Sequence, residues 1–108
     1  MKTIWLIDID GTICEDIPNE EAERFWDAEP LPGALECVKE LYEQGDRITF
    51  FTSRTSAHAE ATEHWLDKHG FPYESVCYNK PRIKDGEVYR WVDNKPVKAT
   101  YVPEGLRI

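Results

Sequence analysis

Asp8 and Asp10 stand two positions apart where the apolar run Ile4-Trp5-Leu6-Ile7 ends, and Gly11-Thr12 follows them directly. In extended backbone, residues two apart point the same way, so the carboxylates converge, and the glycine lets the chain turn sharply behind them. Like charges held that close repel unless a cation sits between them or one keeps its proton. A magnesium site with a carboxylate nucleophile uses both. The plainer reading is a turn, since Asp and Gly are common turn residues. Asp-x-Asp-Gly also opens calcium loops, but these need a glutamate at the twelfth position, which counted from Asp8 is Asn19.

Three further groups sit at comparable places in the chain. Thr52-Ser53-Arg54-Thr55-Ser56 follows the apolar run Arg47-Ile48-Thr49-Phe50-Phe51 and opens a helix. Free N–H groups there, the hydroxyls of Thr52 and Ser53, and the charge of Arg54 suit an anion, although Thr and Ser before a helix also serve as plain caps. Lys80 follows a short apolar stretch, Ser75-Val76-Cys77-Tyr78. Lys84-Asp85-Gly86-Glu87 reads as a turn into Val88-Tyr89-Arg90-Trp91-Val92, a fourth strand that ends in Asp93-Asn94. Four strand ends would thus deliver two acids, a hydroxyl, a lysine and a third acid to one edge, where open parallel sheets place their ligands.

The elements that must position these groups follow from periodicity. The unbroken apolar run before Asp8 suits a central parallel strand covered on both faces. Between Ile13 and Leu31 lies an acidic segment in which Asn19 caps a short helix, with Ala22, Phe25 and Trp26 on one face; over Glu15 to Glu29 it is expected to form a mobile rim rather than core. Pro32-Gly33 introduces a helix with Leu35, Val38, Leu41 and Tyr42 on one side, stopped by Gly45. A second helix follows the Thr52 corner to about His69, with Trp65 and Leu66 inward and Gly70 as its stop. Strand, helix, strand, helix is the pattern of a parallel sheet with right-handed crossovers.

Length and charge narrow the class. The 108 residues make one domain, 1–108, and leave little for a second lobe. With 41% apolar residues and a net charge of −8 the chain reads as a soluble globular acid, which argues against a nucleic-acid footprint without excluding a local patch. The residues before Asp8 are too few for a signal peptide and no apolar run approaches a membrane span, so a cytoplasmic protein with no membrane partner is expected. Cys14, Cys37 and Cys77 form neither a disulfide framework nor a metal knuckle; Cys37 and Cys77 are expected in the core, and Cys14 is the thiol nearest the acids.

These residues resemble the haloacid dehalogenase-like (HAD) superfamily of magnesium-dependent phosphohydrolases and phosphotransferases over nearly the whole chain. Asp8-Ile9-Asp10-Gly11-Thr12 is similar to the family's first motif, Thr52 to its second, Lys80 to its third and Asp93 to its fourth, in the family's order. The resemblance implies an α/β, three-layer Rossmann-like fold with a central parallel sheet and no cap domain. Asn94 departs from it, because many members carry a second acid there. Capless sites in this family tend to meet large substrates or a neighbouring subunit, and the sequence leaves oligomeric state and substrate open.

The resemblance implies a chemistry that the groups themselves can carry. Asp8 attacks phosphorus and becomes an aspartyl phosphate, and Asp10 protonates the leaving oxygen and then activates water. Magnesium is held by Asp8, Asp93 and the Asp10 backbone carbonyl. Thr52 and Lys80 hold phosphoryl oxygens, with Gly11, Thr12, Ser53 and Arg54 as substrate-binding neighbours. A receiver domain shares these residue types, but there the phosphorylated Asp comes on a later strand than the acidic pair. The remaining alternatives are a non-catalytic metal- or phosphate-binding docking module on the same fold and a polynucleotide-end phosphatase.

Overall fold

The computed structural model describes residues 2–107. Three parallel strands, β1 (Ile4–Ile7), β2 (Arg47–Phe51) and β3 (Ser75–Cys77), lie side by side in that order. Ile4 is level with Arg47 and Ile7 with Phe50 in one pair, and Thr49 with Ser75 in the other. Helix α1 (Ala34–Glu43) carries the chain from β1 to β2, and α2 (Ala59–His69) from β2 to β3. This is the α/β class that the alternation of apolar runs predicts, and both crossovers have the length a parallel pair requires.

The helix boundaries follow local chemistry. Gly33, at φ 84°, takes the left-handed turn that redirects the chain into α1, and Gly70, at φ 80°, closes α2 with its N–H on the carbonyls of Asp67 and Leu66. α1 buries Ala34, Cys37 and Val38, while Tyr42, expected on the inner face, is exposed at its last turn. α2 buries Trp65 and Leu66, and the Trp65 indole donates to the Ala28 carbonyl at 2.8 Å, satisfying its one polar atom inside the core. Phe50 from β2 packs edge-on against Phe71 and Tyr73, so the core lies between the sheet and the helices.

Several expectations are corrected. β1 is not covered on both faces: Ile4 and Leu6, on one face, are about half exposed, and among the described residues no strand pairs beyond β1. The fourth strand does not form. The expected turn is present, with the Glu87 N–H on the Lys84 carbonyl at 3.0 Å, but Val88 and Val92 are exposed. Tyr89 donates its hydroxyl to the Pro81 carbonyl and the Trp91 ring meets Phe51, contacts that hold the segment near the end of β2. Cys77 is exposed at the end of a three-residue strand rather than in the core.

The acidic segment is likewise not a peripheral rim. Residues Asn19–Asp27 form a 3-10 helix in which Phe25 is fully buried, while Trp26 remains partly exposed against His64. Before it, Ile13, Cys14 and Ile17 are buried, and the Glu15 N–H on the Glu29 carbonyl and the Leu31 N–H on the Ile13 carbonyl tie its two ends together. Apolar residues every few positions among the acids draw the loop inward. Asn19 does not cap the helix; its amide donates instead to the Ser53 carbonyl at 3.0 Å.

Candidate active site

The loop after β1 is built around its backbone. Gly11 adopts φ 79°, and the N–H groups of Thr12 and Ile13 both reach the Ile9 carbonyl, at 3.0 and 2.9 Å, so the chain reverses immediately after the acids. Buried Ile9 and Ile13 anchor that reversal in the core. From the far end of the chain the Leu106 N–H bonds the Thr12 carbonyl at 2.9 Å, and the Leu106 side chain is buried. Asp8 and Asp10 are therefore held at the carboxyl edge of the sheet by contacts local and remote.

Asp8 is partly exposed at this edge. Its carboxylate accepts the Thr12 hydroxyl at 3.1 Å and lies 3.8 Å from the Lys80 ammonium. Burial pushes its carboxyl above the ordinary aspartate value, against the opposing pull of Lys80 and Thr12. Lys80 is delivered by the turn after β3, where Asn79 takes φ 66° and the N–H groups of Asn79 and Lys80 bond the carbonyls of Arg54 and Thr52, both at 2.9 Å. That turn seats the third expected group against the first. The Lys80 ammonium also lies 4.8 Å from the centre of the Tyr89 ring.

Asp10 meets a different partner. Arg54, fully buried, donates Nε to Oδ2 at 2.9 Å and Nη2 to Oδ1 at 2.7 Å, so one guanidinium engages both carboxylate oxygens. The same guanidinium lies 3.8 Å above the Phe25 ring and donates Nη1 to the Thr62 hydroxyl at 3.2 Å. A buried cation needs such a complete set of partners. Arg54 was expected to face substrate; instead it turns inward to fix the plane of Asp10. Thr52 is also fully buried, its hydroxyl accepting the Arg54 N–H at 3.1 Å, which leaves Ser53 as the hydroxyl of that corner in the cleft.

A cleft of ≈ 430 Å³ gathers these groups, lined by Asp8, Asp10, Asp16, Ser53, Lys80 and Arg82 among others. Asp16, Asn19 and Arg82 were missed by the sequence reading, because isolated polar residues in loops carry no periodic signal. The structure does not bring Asp93 to this cleft. Its carboxylate accepts the Trp91 indole N–H and the Lys95 N–H, both at 3.1 Å, and these bonds, the indole first, hold it below the ordinary aspartate value. Because residues 88–92 do not join the sheet as a strand, the expected set Asp8, Asp10 and Asp93 is not assembled. Among the described residues no three carboxylate, histidine or cysteine side chains cluster tightly enough to hold a metal. Of the carboxylates lining the cleft, Asp10 is taken up by Arg54, which leaves Asp8 and Asp16; magnesium commonly uses one or two carboxylates with a substrate phosphate rather than a protein cage.

Cys14 is buried, its thiol lies 3.3 Å from the Glu15 carbonyl and 3.7 Å from Asp10, and burial followed by the Asp10 charge pushes its ionisation far up. Asp46, unremarked in the sequence, is a structural acid. It accepts the Trp5 indole at 2.8 Å, the Gln44 amide at 2.8 Å and the Thr3 N–H at 3.1 Å, joining the starts of β1 and β2, and these donors hold its carboxyl below the ordinary value.

A parallel α/β sheet whose first strand sets down two aspartates beside a lysine is the arrangement of the HAD-like superfamily. Residues 5–101 match the family model described as the LNS2 domain of PITM 1-3, a HAD-like domain, and the chain belongs to that family. A relative from Chlorobaculum tepidum, named "Putative 5'(3')-deoxyribonucleotidase", is 33% identical over 72 residues, 61% of this chain and 36% of its own. Another, from Oceanobacillus iheyensis and named "Putative nucleotidase", is 44% identical over 80 residues, 67% of this chain and 43% of its own. The matched stretches thus span less than half the length of these relatives. A structural-genomics target from Vibrio cholerae superposes with a TM-score of 0.66 at 22% identity over 82% of this chain and 78% of that one. A D,D-heptose 1,7-bisphosphate phosphatase from B. bronchiseptica, solved with magnesium and phosphate, superposes with a TM-score of 0.57 at 17% identity over 82% and 55%. At those identities the likeness speaks to the fold. No helix among the described residues is long and apolar enough to cross a membrane.

Proposed function

We propose that the chain is a magnesium-dependent phosphohydrolase that cleaves a phosphomonoester, with nucleotides as the substrate class, through an aspartyl phosphate on Asp8. The observation that carries the reading is the convergence of Asp8, Asp10, Ser53 and Lys80 on one cleft at the carboxyl edge of a parallel sheet. The names of the nucleotidase relatives support the substrate class.

Asp8 is the nucleophile, since it is the more exposed acid and has an oxygen free of the Thr12 bond to present to phosphorus. Lys80 neutralises charge on the phosphoryl oxygens, and Ser53 offers a hydroxyl where Thr52 was expected. Asp10, its plane fixed by Arg54, passes a proton to the leaving oxygen and later takes one from water. Asp8 and Asp16 would hold magnesium, which when bound supplies positive charge between two anions that otherwise repel.

The test is a turnover screen with magnesium over deoxynucleoside 5'- and 3'-monophosphates, sugar phosphates and phosphorylated oligonucleotide ends, with Asp8→Asn as the blank. Nucleotides turned over faster than sugar phosphates are the expected result. A preference for oligonucleotide ends would move the substrate class.

A further inference from the structure

Glu20 and Arg82 meet beside the cleft: Arg82 lines it, and Glu20 lines an adjoining hollow that shares Asn19, Ser53, Lys80 and Arg82. Glu20 stands in the first turn of the 3-10 helix, and Arg82 follows Lys80 by two residues. Arg82 Nη1 lies 2.8 Å from Glu20 Oε1, and Nη2 donates to Oε2 at 3.3 Å. The neighbouring Asn19 amide donates to the Ser53 carbonyl, on the corner after β2. Both members of the ion pair are more than half exposed, at 57% and 61%, so the pair is a weak contact that a stronger anion can displace.

The cations lining this cleft are Lys80 and Arg82, and Lys80 already lies against Asp8. Arg82 therefore holds its fork toward an acid that has no part in the chemistry. A guanidinium grips phosphate as it grips carboxylate, through two parallel N–H bonds, and phosphate brings more charge. With Lys80 against Asp8, Arg82 is the cation of the cleft left to meet a second anionic group of the substrate.

We propose that Arg82 is a specificity residue that releases Glu20 to take a second phosphate of the substrate, so that the cleft selects a nucleoside bisphosphate over a simple monoester. The inference rests on the phosphohydrolase reading and extends it to a second binding group.

The experiment compares kcat/KM for a deoxynucleoside 3',5'-bisphosphate and for 4-nitrophenyl phosphate, with magnesium, in wild type, Arg82→Ala, Arg82→Lys and Glu20→Gln. Arg82→Ala should lower the preference for the bisphosphate about tenfold, through KM rather than kcat, as expected for loss of a charge-assisted contact. Arg82→Lys should recover part of it, and Glu20→Gln should lower KM for the bisphosphate by removing the competitor. A preference within twofold of wild type in Arg82→Ala, or KM values that rise together for both substrates, would overturn the proposal. Should wild type turn over neither substrate, the phosphohydrolase reading fails separately. Calorimetric binding of the bisphosphate then decides: about tenfold weaker binding in Arg82→Ala supports the second-phosphate site, and equal binding overturns it.

Discussion

Arg54 holds both carboxylate oxygens of Asp10, at 2.7 and 2.9 Å, from a position with no solvent exposure. The second acid of the Asp-x-Asp pair is thereby set by a residue 44 positions away, whose own place depends on Phe25 and Thr62. Asp8 has no such clamp, and in the proposed mechanism this asymmetry assigns Asp8 to attack and Asp10 to proton transfer.

Removing the clamp exposes its cost. Arg54→Ala leaves Asp10 poorly compensated and empties a fully buried site, so unfolding free energy should fall by about 3–5 kcal/mol in urea titration. A double-mutant cycle with Asp10→Asn should be far from additive, since each change removes the same contact. Additive losses would mean that the pair is not coupled.

Phe25 and Trp26 are adjacent in sequence but unequal in the fold. Phe25→Ala, at a fully buried ring that also faces Arg54, should cost about 3–5 kcal/mol. Trp26→Ala, at a partly exposed ring, should cost clearly less. Equal losses in denaturant titration would contradict the packing of the 3-10 helix.

How far the sequence could have led is uneven along the chain. β2 coincides with the run Arg47–Phe51, and α1 and α2 end at Gly33, Gly45 and Gly70 much as their turn chemistry requires. The positions of Asp8 and Lys80 were legible because each follows the end of a strand. Arg54 was legible as a charge but not in its direction: nothing local says that a guanidinium will turn under its own corner toward Asp10, with Thr62 eight residues on and Phe25 from the 3-10 helix as its other partners. Phe25 was hidden for the same reason, one aromatic among acids. Val88–Val92 has the β-branched and aromatic composition of a strand, yet a strand also needs a neighbour to pair with, and the aromatic contacts of Tyr89 and Trp91 hold that segment elsewhere.

Asp8 gives a pH prediction. Its folded carboxyl is raised by burial, so the protonated form favours the folded state. The stability it contributes is full below the ordinary aspartate value and is lost as pH rises through the raised value. Asp8→Asn should therefore be more stable than wild type at neutral pH, and the difference should shrink as pH falls toward the ordinary carboxylate range. Thermal melts across that range check it; a constant difference would contradict it. Magnesium should raise the melting temperature of wild type at neutral pH and do so less in Asp8→Asn.

The central claim, that Asp8 forms the covalent bond while Asp10 moves the proton, is tested most directly by turnover of two aryl phosphates that differ in leaving-group basicity, with wild type, Asp8→Asn and Asp10→Asn. Asp8→Asn should fall to background on both substrates, because an amide cannot form the acyl phosphate. Asp10→Asn should lose about 10²–10⁴ in rate on the poor leaving group and much less on nitrophenolate, which departs without a proton. Activity in Asp8→Asn equal to wild type would contradict the account.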